Sequence, residues 1–254
     1  MIDVKGRWAL ITGAARGIGR GAAVFMAKKG CNLILHGRTK EHCQDVLNEV
    51  KALGVQAHAV GAEFSDLAQV EAMLGEIDAL GVAVDIILNN AGIQIAYRSE
   101  YLKTPPSDYE ESFKINTIAP MMIVYHFLPQ MEKRGFGRIV NTTSGIRLEP
   151  EQAGYSASKA ALDKVTMDLA AKYEGTDICI NITDPGWCRT DLGGAHAPNA
   201  PESSLPGVVV GAFIGDKKSG RNFSAGNFYG MTLEEAVDKA ENDFPVYSGS
   251  VAFV

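Results

Sequence analysis

Short apolar segments alternate with helical patterns through the first 190 residues. Six segments read as strands buried on both faces, because apolar residues run through them almost without interruption. They are 7–12, 32–36, 55–60, 85–90, 138–143 and 177–183. The segments between them show helical spacing or end at a glycine, as at Gly30 and Gly54. This alternation predicts a doubly wound α/β fold built on a parallel sheet.

The length of 254 residues fits one large domain, and no linker or composition break divides the first 190 residues. Residues 191–230 are rich in Gly, Pro, Ser and Asn, and we expect them to form a substrate loop or lid. For 231–254 we expect a helix followed by an apolar tail that packs on the sheet edge or docks on a neighbouring subunit. Helix starts are predicted at Ser65 or Asp66 and at two capping boxes, Ser107 with Glu110 and Thr232 with Glu235.

Composition excludes several classes of protein. With 24 basic and 30 acidic residues the formal charge is −6, which argues against broad nucleic-acid binding. No apolar run approaches the roughly 18 residues of a membrane span, and the N-terminal segment lacks the layout of a signal peptide. The cysteines form no CxxC pair and no metal-ligand spacing, so we expect reduced thiols, no metal site and a cytoplasmic location. They are Cys31, Cys43, Cys179 and Cys188.

A glycine-rich turn follows the first predicted strand and opens the first predicted helix. Its sequence, TGAARGIG at 12–19, includes Gly13, Gly17 and Gly19. Glycines allow a tight turn and a close approach to a pyrophosphate, which then sits at the positive end of the helix. This context predicts a dinucleotide cofactor.

The end of the second strand indicates which dinucleotide. A chain that prefers NAD usually places a carboxylate here for the ribose 2′-hydroxyl, but this chain reads HGRT at 36–39. Arg38 can instead bind a 2′-phosphate, and Arg16 can flank it from the glycine turn. We therefore expect NADP, with NAD the less favoured cofactor, unless both arginines are solvated surface charges.

Tyr155 and Lys159 lie four residues apart at the start of a predicted helix, so they share one helical face. A tyrosine that acts as acid or base near neutrality needs its pKa lowered from about 10. A neighbouring ammonium, together with a nearby nicotinium charge, favours the phenolate.

These features together resemble the short-chain dehydrogenase/reductase superfamily of the single-domain type, over about residues 5–192. The motifs that carry the resemblance occur in the family's order: TGAARGIG (12–19), NNAG (89–92), Asn116, Ser144, YSASK (155–159) and PGWCRT (185–190). The resemblance implies a Rossmann-type sheet of about seven strands and hydride transfer between a nicotinamide cofactor and a carbonyl or alcohol. It also implies a homodimer or homotetramer that pairs through helices 107–133 and 155–173.

The resemblance implies roles for individual residues. Tyr155 is the general acid or base, and Lys159 lowers its pKa and holds the nicotinamide ribose. Ser144 hydrogen-bonds the substrate oxygen, and Asn116 orients a water next to the lysine. The other cofactor contacts implied are Gly13, Arg16, Gly17, Ile18, Gly19, Arg38, Glu63, Phe64, Asn90, Ala91, Gly92, Pro185, Gly186 and Thr190.

Some positions depart from the family pattern. Ser144 lies 11 residues before Tyr155, whereas the family more often has about 13, the spacing of Thr142. We expect Ser144 to be the functional hydroxyl because it keeps the register of the strand end, with Thr142 as the alternative. The family's usual C-terminal segments are absent, and SGRNFSAGNFYGM at 219–231 stands in their place.

The substrate pocket is expected to include Ile93, Gln94, Arg147, Leu148 and Trp187, with Arg147 either pairing with an acidic substrate group or exposed to solvent. The sequence does not name the substrate. Two other functions remain open: a catalytically idle NADP(H)-binding regulator, and an epimerase or dehydratase that uses the same tyrosine and lysine.

Overall fold

The computed structural model describes residues 1–246. Its strands are β1 (Trp8–Ile11), β2 (Asn32–Gly37), β3 (Ala57–Gly61), β4 (Val84–Asn89), β5 (Gly137–Thr142), β6 (Ile178–Asp184) and β7 (Asn222–Ser224). Its helices are α1 (Gly17–Lys28), α2 (Gln44–Ala52), α3 (Leu67–Ala79), α4 (Pro106–Phe113), α5 (Ala119–Arg134), α6 (Ala153–Ala170) and α7 (Leu233–Asp243). Most of the tail expected to form a last strand, 247–254, lies outside the described residues.

All seven strands form one parallel sheet in the order β3-β2-β1-β4-β5-β6-β7. The predicted Rossmann-type fold is confirmed. The chain order reverses between β1 and β4, which are neighbours in the sheet, and ligands of such folds bind outside the strand ends at this point.

Alternate residues of β1 face opposite sides of the sheet, and both sides are covered. Ala9 and Ile11 belong to the core that includes α1, α2 and α7, while Leu10 belongs to the core that includes α3 and α5. Burial on both faces explains why the central strands read as continuous apolar runs rather than alternating ones.

Two of the three predicted helix caps are present in the structure, and one is absent. The Asp66 carboxylate caps α3 by accepting from Ala68 N–H at 3.1 Å, and Thr232 with Glu235 forms the predicted capping box of α7. The predicted box at Ser107 is wrong, because α4 begins at Pro106 and no side chain caps it. A proline in the first turn supplies the helical φ and lacks the N–H that a cap would satisfy.

The long helix predicted over 107–133 is continuous but contains a π-helical turn, Lys114–Ile118, between α4 and α5. Such insertions rotate the side chains that follow them and are frequent at functional sites. Asn116 lies in the middle of this turn.

Much of the segment 191–230 packs into the body of the protein, unlike a mobile lid. Val209, Ala212 and Ile214 are fully buried in the core. Arg221 is also fully buried, and its guanidinium binds the Asp216 carboxylate at 2.6 Å and the Ala240 carbonyl at 3.1 Å. Only the beginning of this segment lines the cleft described below.

Candidate active site

A cleft of about 1280 Å³ opens at the carboxyl ends of the central strands. Residues that follow β1, β2, β4, β5 and β6 all contribute to its walls. It is lined by nearly every residue that the sequence assigned to the site: Gly13, Arg16, Gly17, Ile18, Gly19, Arg38, Glu63, Phe64, Asn90, Ala91, Gly92, Ser144, Tyr155, Lys159, Pro185, Gly186 and Thr190. Asn116 is the exception and lies behind the wall.

The glycine turn between β1 and α1 is tightly folded. A Cβ on Gly19 would collide with the carbonyl oxygen of Gly13, so this position excludes any side chain. Arg16 precedes α1 without a side-chain cap, and the first turn of the helix contains no acidic residue. The amides at this helix end therefore suit an anion such as a pyrophosphate.

His36 supports this turn from β2, a role that sequence reasoning missed. Its Nδ1 accepts a hydrogen bond from Gly13 N–H, its Nε2 lies 3.0 Å from the Ala62 carbonyl oxygen, and its ring stacks on Phe64 at 4.2 Å. Burial lowers the pKa of His36 to about 4, although the Ala62 carbonyl opposes the shift. The neutral ring with its proton on Nε2 satisfies both backbone groups.

Thr12 joins β1 to the NNAG segment that follows β4. Its hydroxyl oxygen accepts from the N–H groups of Asn90 and Ala91, both at 3.0 Å, and the Asn90 amide donates to the Thr12 carbonyl. These hydrogen bonds connect the ends of β1 and β4 at the point where the strand order of the sheet reverses.

The end of β2 has no room for an acidic side chain. A Cβ on Gly37 would lie 2.9 Å from the Cys43 sulfur and 3.1 Å from the Thr39 carbonyl oxygen. Arg38, directly after it, is exposed at the cleft and forms no ion pair within the described chain. Its guanidinium is available to a ligand.

Arg16, the second predicted phosphate contact, has an acidic neighbour. Its guanidinium pairs with the Asp191 carboxylate at 2.5 Å, and both side chains are largely exposed. A surface pair of this kind adds little stability. It links the glycine turn to the start of the 191–230 segment, and a bound phosphate would compete with Asp191 for Arg16.

Lys159 is buried on α6 and donates from Nζ to the Thr142 carbonyl oxygen at 2.8 Å. Burial lowers the pKa of Lys159 to about 8, while the carboxylates of Asp163 and Asp184 raise it. These two acids were not singled out from the sequence. Asp163 follows Lys159 by one turn of α6, whereas Asp184 ends β6 and is brought close to the lysine only by folding.

The pKa of Tyr155 differs from the sequence-based expectation. Burial raises it, the Ser144 hydroxyl lowers it, and the carboxylates of Asp184 and Asp163 raise it. Lys159 donates to the Thr142 carbonyl, and the net direction of the Tyr155 pKa in the protein alone is upward. The expectation counted the ammonium but not the cost of burying a phenolate.

Ser144 and Thr142 occupy different environments. The Ser144 hydroxyl acts on the Tyr155 phenol and also accepts from Ile146 N–H at 3.2 Å. Thr142 offers its backbone carbonyl to Lys159. The lowering of the Tyr155 pKa by Ser144 favours this residue as the hydroxyl that works with Tyr155.

Asn116 is fully buried and fully engaged. Its carbonyl oxygen accepts from Ile93 N–H at 2.9 Å, and its amide donates to the Ile93 carbonyl and the Ser158 hydroxyl, both at 3.0 Å. The side chain therefore ties the π-helical turn to the NNAG loop and to α6. This explains an asparagine in a helix, where its intrinsic propensity is low.

The outer cleft contains most of the predicted substrate residues. Ile93, Gln94, Arg147 and Trp187 line it, and the Trp187 indole donates to the Gly193 carbonyl at 2.7 Å. Leu148 does not line the cleft. It is 94% exposed, has a φ of 60°, and borders a separate shallow groove.

Comparison with known proteins decides the family. A model of the short chain dehydrogenase family matches residues 7–200, which contain nearly the whole cleft. The chain belongs to the short-chain dehydrogenases. The resemblance drawn from its motifs is confirmed. No helix in the part of the chain that the structure describes is both long enough and apolar enough to span a membrane.

Relatives of this short-chain dehydrogenase include named enzymes. It is 30% identical over 215 residues to the 3-oxoacyl-[acyl-carrier-protein] reductase FabG of Aquifex aeolicus, covering 84% of this chain and 86% of that protein. It is 35% identical over 194 residues to an uncharacterized oxidoreductase of Mycobacterium tuberculosis, covering 74% of this chain. The chain spans only 57% of the length of that relative.

Solved structures share the fold. A putative NAD(P)-dependent gluconate 5-dehydrogenase from Beutenbergia cavernae, crystallised with bound NADP at low occupancy, superposes with a TM-score of 0.75. The two sequences are 26% identical, and the match covers 88% of this short-chain dehydrogenase and 96% of that chain.

Proposed function

We propose that this short-chain dehydrogenase transfers a hydride between NADP(H) and a small carbonyl or alcohol substrate, with Tyr155 as the general acid or base. The observation that carries the proposal is the convergence of Ser144, Tyr155 and Lys159 in one wall of a cleft whose opposite end holds the glycine turn and Arg38. A cytoplasmic location also belongs to the proposal and agrees with four buried cysteines that form no disulfide.

The residues divide the binding task along the cleft. The glycine turn and the first turn of α1 hold the pyrophosphate, and Arg38 with Arg16 holds the 2′-phosphate. Asn90, Ala91 and Gly92 line the middle of the cleft, with Glu63 and Phe64 beside the adenine. Pro185, Gly186 and Thr190 face the nicotinamide end. The Beutenbergia cavernae structure contains bound NADP, which supports the choice of NADP over NAD for this chain.

In the direction of reduction the cofactor supplies the hydride to the carbonyl carbon. Tyr155 gives its phenolic proton to the carbonyl oxygen, and Ser144 donates a hydrogen bond to the same oxygen. Lys159 would hold the ribose and pass a proton taken up from solvent to Tyr155, which restores the phenol. Asn116 keeps the loop at Ile93 and helix α6 in register, so the lysine and the tyrosine stay aligned.

Burial alone holds the Tyr155 proton more tightly than in water, which suits an acid more than a base. The positive charge that the oxidised nicotinamide brings would lower the pKa of the phenol. We therefore expect the tyrosine to become an effective base only when the oxidised cofactor is bound.

A screen of carbonyl and alcohol compounds with NADPH and NADP⁺, followed by nicotinamide absorbance, tests the proposal. Tyr155→Phe should abolish turnover and leave NADPH affinity nearly unchanged, because it removes a proton and little binding surface. Tyr173→Phe is the matched control, since Tyr173 bonds Glu132 at the protein surface. NADPH binding without turnover of any compound would favour a regulator, and near-normal kcat in Tyr155→Phe would refute the role of Tyr155.

A further inference from the structure

Asp184 places a carboxylate in the wall of the cleft that the proposed reaction does not use. It ends β6, and its Oδ1 accepts from Gly186 N–H at 2.9 Å. Its Oδ2 lies 2.8 Å from the point where Gly145 would carry a Cβ. The carboxylate is therefore fixed between the Ser144 loop and the Pro185 turn. It forms no ion pair within residues 1–246.

A second carboxylate, Asp163, lies on α6 one turn after Lys159. Its Oδ1 is buried and has no hydrogen-bond partner in the described part of the chain. Burial raises the pKa of Asp163 to about 6, although the Thr143 hydroxyl and the Lys159 ammonium oppose the shift. The side chain is therefore largely ionised above pH 7.

The negative charge of Asp163 and Asp184 exceeds the positive charge of the lysine beside them. The Lys159 ammonium lowers the pKa of Asp163, and Asp163 and Asp184 each raise the pKa of Tyr155. Arg189 turns away and donates to the carbonyls of Ala197 and Pro198. Asp184 lines the cleft and Asp163 lies behind its wall on α6, so the wall at Lys159 combines two carboxylates with one ammonium, while Arg147 lines the outer cleft.

We propose that Asp184, assisted by Asp163, makes this cleft bind NADP⁺ more tightly than NADPH. The inference rests on the proposed function, because it places the nicotinamide beside Pro185 and Gly186. The two cofactors differ in charge at the ring alone: the oxidised ring is cationic and the reduced ring is neutral. A fixed carboxylate therefore attracts the oxidised ring and is indifferent to the reduced one.

This preference acts on the reaction as well as on binding. When a carbonyl compound, NADPH and a proton become an alcohol and NADP⁺, a positive charge appears on the ring as the hydride leaves. Asp184 stabilises that charge where it forms. By linkage, the equilibrium between bound reactants shifts toward the alcohol by the same factor as the ratio of the two dissociation constants.

Calorimetric dissociation constants for NADP⁺ and NADPH, measured at pH 8 without substrate, test the inference. Wild-type protein should favour NADP⁺, and Asp184→Asn should reduce the ratio of the two affinities about fivefold, because it removes the charge and keeps the acceptor for Gly186. Asp163→Asn should reduce it less. Asp191→Asn is the control: Asp191 acts beside the phosphate shared by both cofactors, so the ratio should not change.

An unchanged ratio in Asp184→Asn, with both cofactors still bound, would overturn the inference and leave the proposed function intact. Failure of the wild-type protein to bind either cofactor would instead overturn the proposed function and the inference with it. If Asp184→Asn does not fold, the wild-type protein still decides: its preference for NADP⁺ should weaken with added salt, and the absence of any preference would refute the role of the carboxylates.

Discussion

The backbone N–H of Gly13 donates a hydrogen bond to Nδ1 of His36, 3.3 Å away. Through this bond a buried side chain in β2 holds the turn that follows β1. The neutral ring accepts this hydrogen bond at Nδ1. Protonation of His36 would place a hydrogen on Nδ1, facing the N–H of Gly13, and the hydrogen bond would be lost.

Protonation of His36 should therefore make stability fall in acid. The pKa is about 4 in the folded protein, below the ordinary 6.5, so the unfolded chain binds more protons between these values. The contribution of neutral His36 to the free energy of unfolding, about 3 kcal/mol, is fully present above pH 6.5 and is lost as the pH falls toward 4. Denaturant unfolding across this range should show a shallower pH slope for His36→Leu. The exposed His58 offers the control His58→Gln, which should keep the wild-type slope.

Ser144→Ala should cost about 2–4 kcal/mol in kcat/KM, the range for one lost donor to a developing oxyanion. Thr142→Ala should cost much less, because Thr142 serves Lys159 through its backbone carbonyl. Steady-state kinetics of both variants on one substrate make the comparison. The reverse order of effects would assign the role to Thr142.

Arg38→Asp should abolish the preference for NADPH over NADH, which we expect to be at least about tenfold in the wild-type protein. The preference should shrink at high salt, since the phosphate contact is ionic. Arg20→Gln, which loses only a surface pair with Glu49, is the control. Equal efficiency with both cofactors in the wild-type protein would contradict the role of Arg38.

Gly37→Asp is a poor route to an NAD-dependent variant. The new side chain would press on the Cys43 sulfur and the Thr39 carbonyl, so we expect a lower melting temperature. Arg38→Asp has no such cost because Arg38 is exposed. A thermal shift assay of the two variants measures the difference, and equal melting temperatures would contradict the steric argument.

Assembly through α5 is a further prediction. Ile118, at the end of the π-helical turn, forms one stripe with Met122 and Tyr125 of α5, and Ile118 and Tyr125 are substantially exposed in the isolated chain. We expect a homodimer or homotetramer that covers the stripe. Light scattering at micromolar concentration should detect it. Tyr125→Glu should dissociate it, whereas Leu53→Glu, at the exposed residue directly after α2, should not. A monomeric wild-type protein would contradict the prediction.

The strands that were predictable from sequence are those buried on both faces. β7 was not among the six apolar segments, because it has three residues and lies in a stretch rich in glycine and asparagine. The start of α4 was misplaced for a local reason: prolines at 105 and 106 set the helix start before Ser107 could cap it.

In the site, motif residues were predictable but their partners were not. Asp163 lies one helical turn from Lys159 and could have been found from that spacing, but only the packing of β6 against α6 brings Asp184 near the lysine. His36 looks like an ordinary core residue until Gly13 and Ala62 are placed beside it. The direction of the Tyr155 pKa depends on burial, which spacing along a helix does not reveal.

The residues that line the cleft are spread along the chain from Gly13 to Gly193. During synthesis the first three strands and their helices can associate early, since they are contiguous in sequence. β1 must still wait for β4, and the cleft has no far wall until β6 and the turn after it are made. The proposed cofactor could therefore bind only late in the synthesis of each new molecule, because a chain released before residue 184 lacks one wall of the cleft.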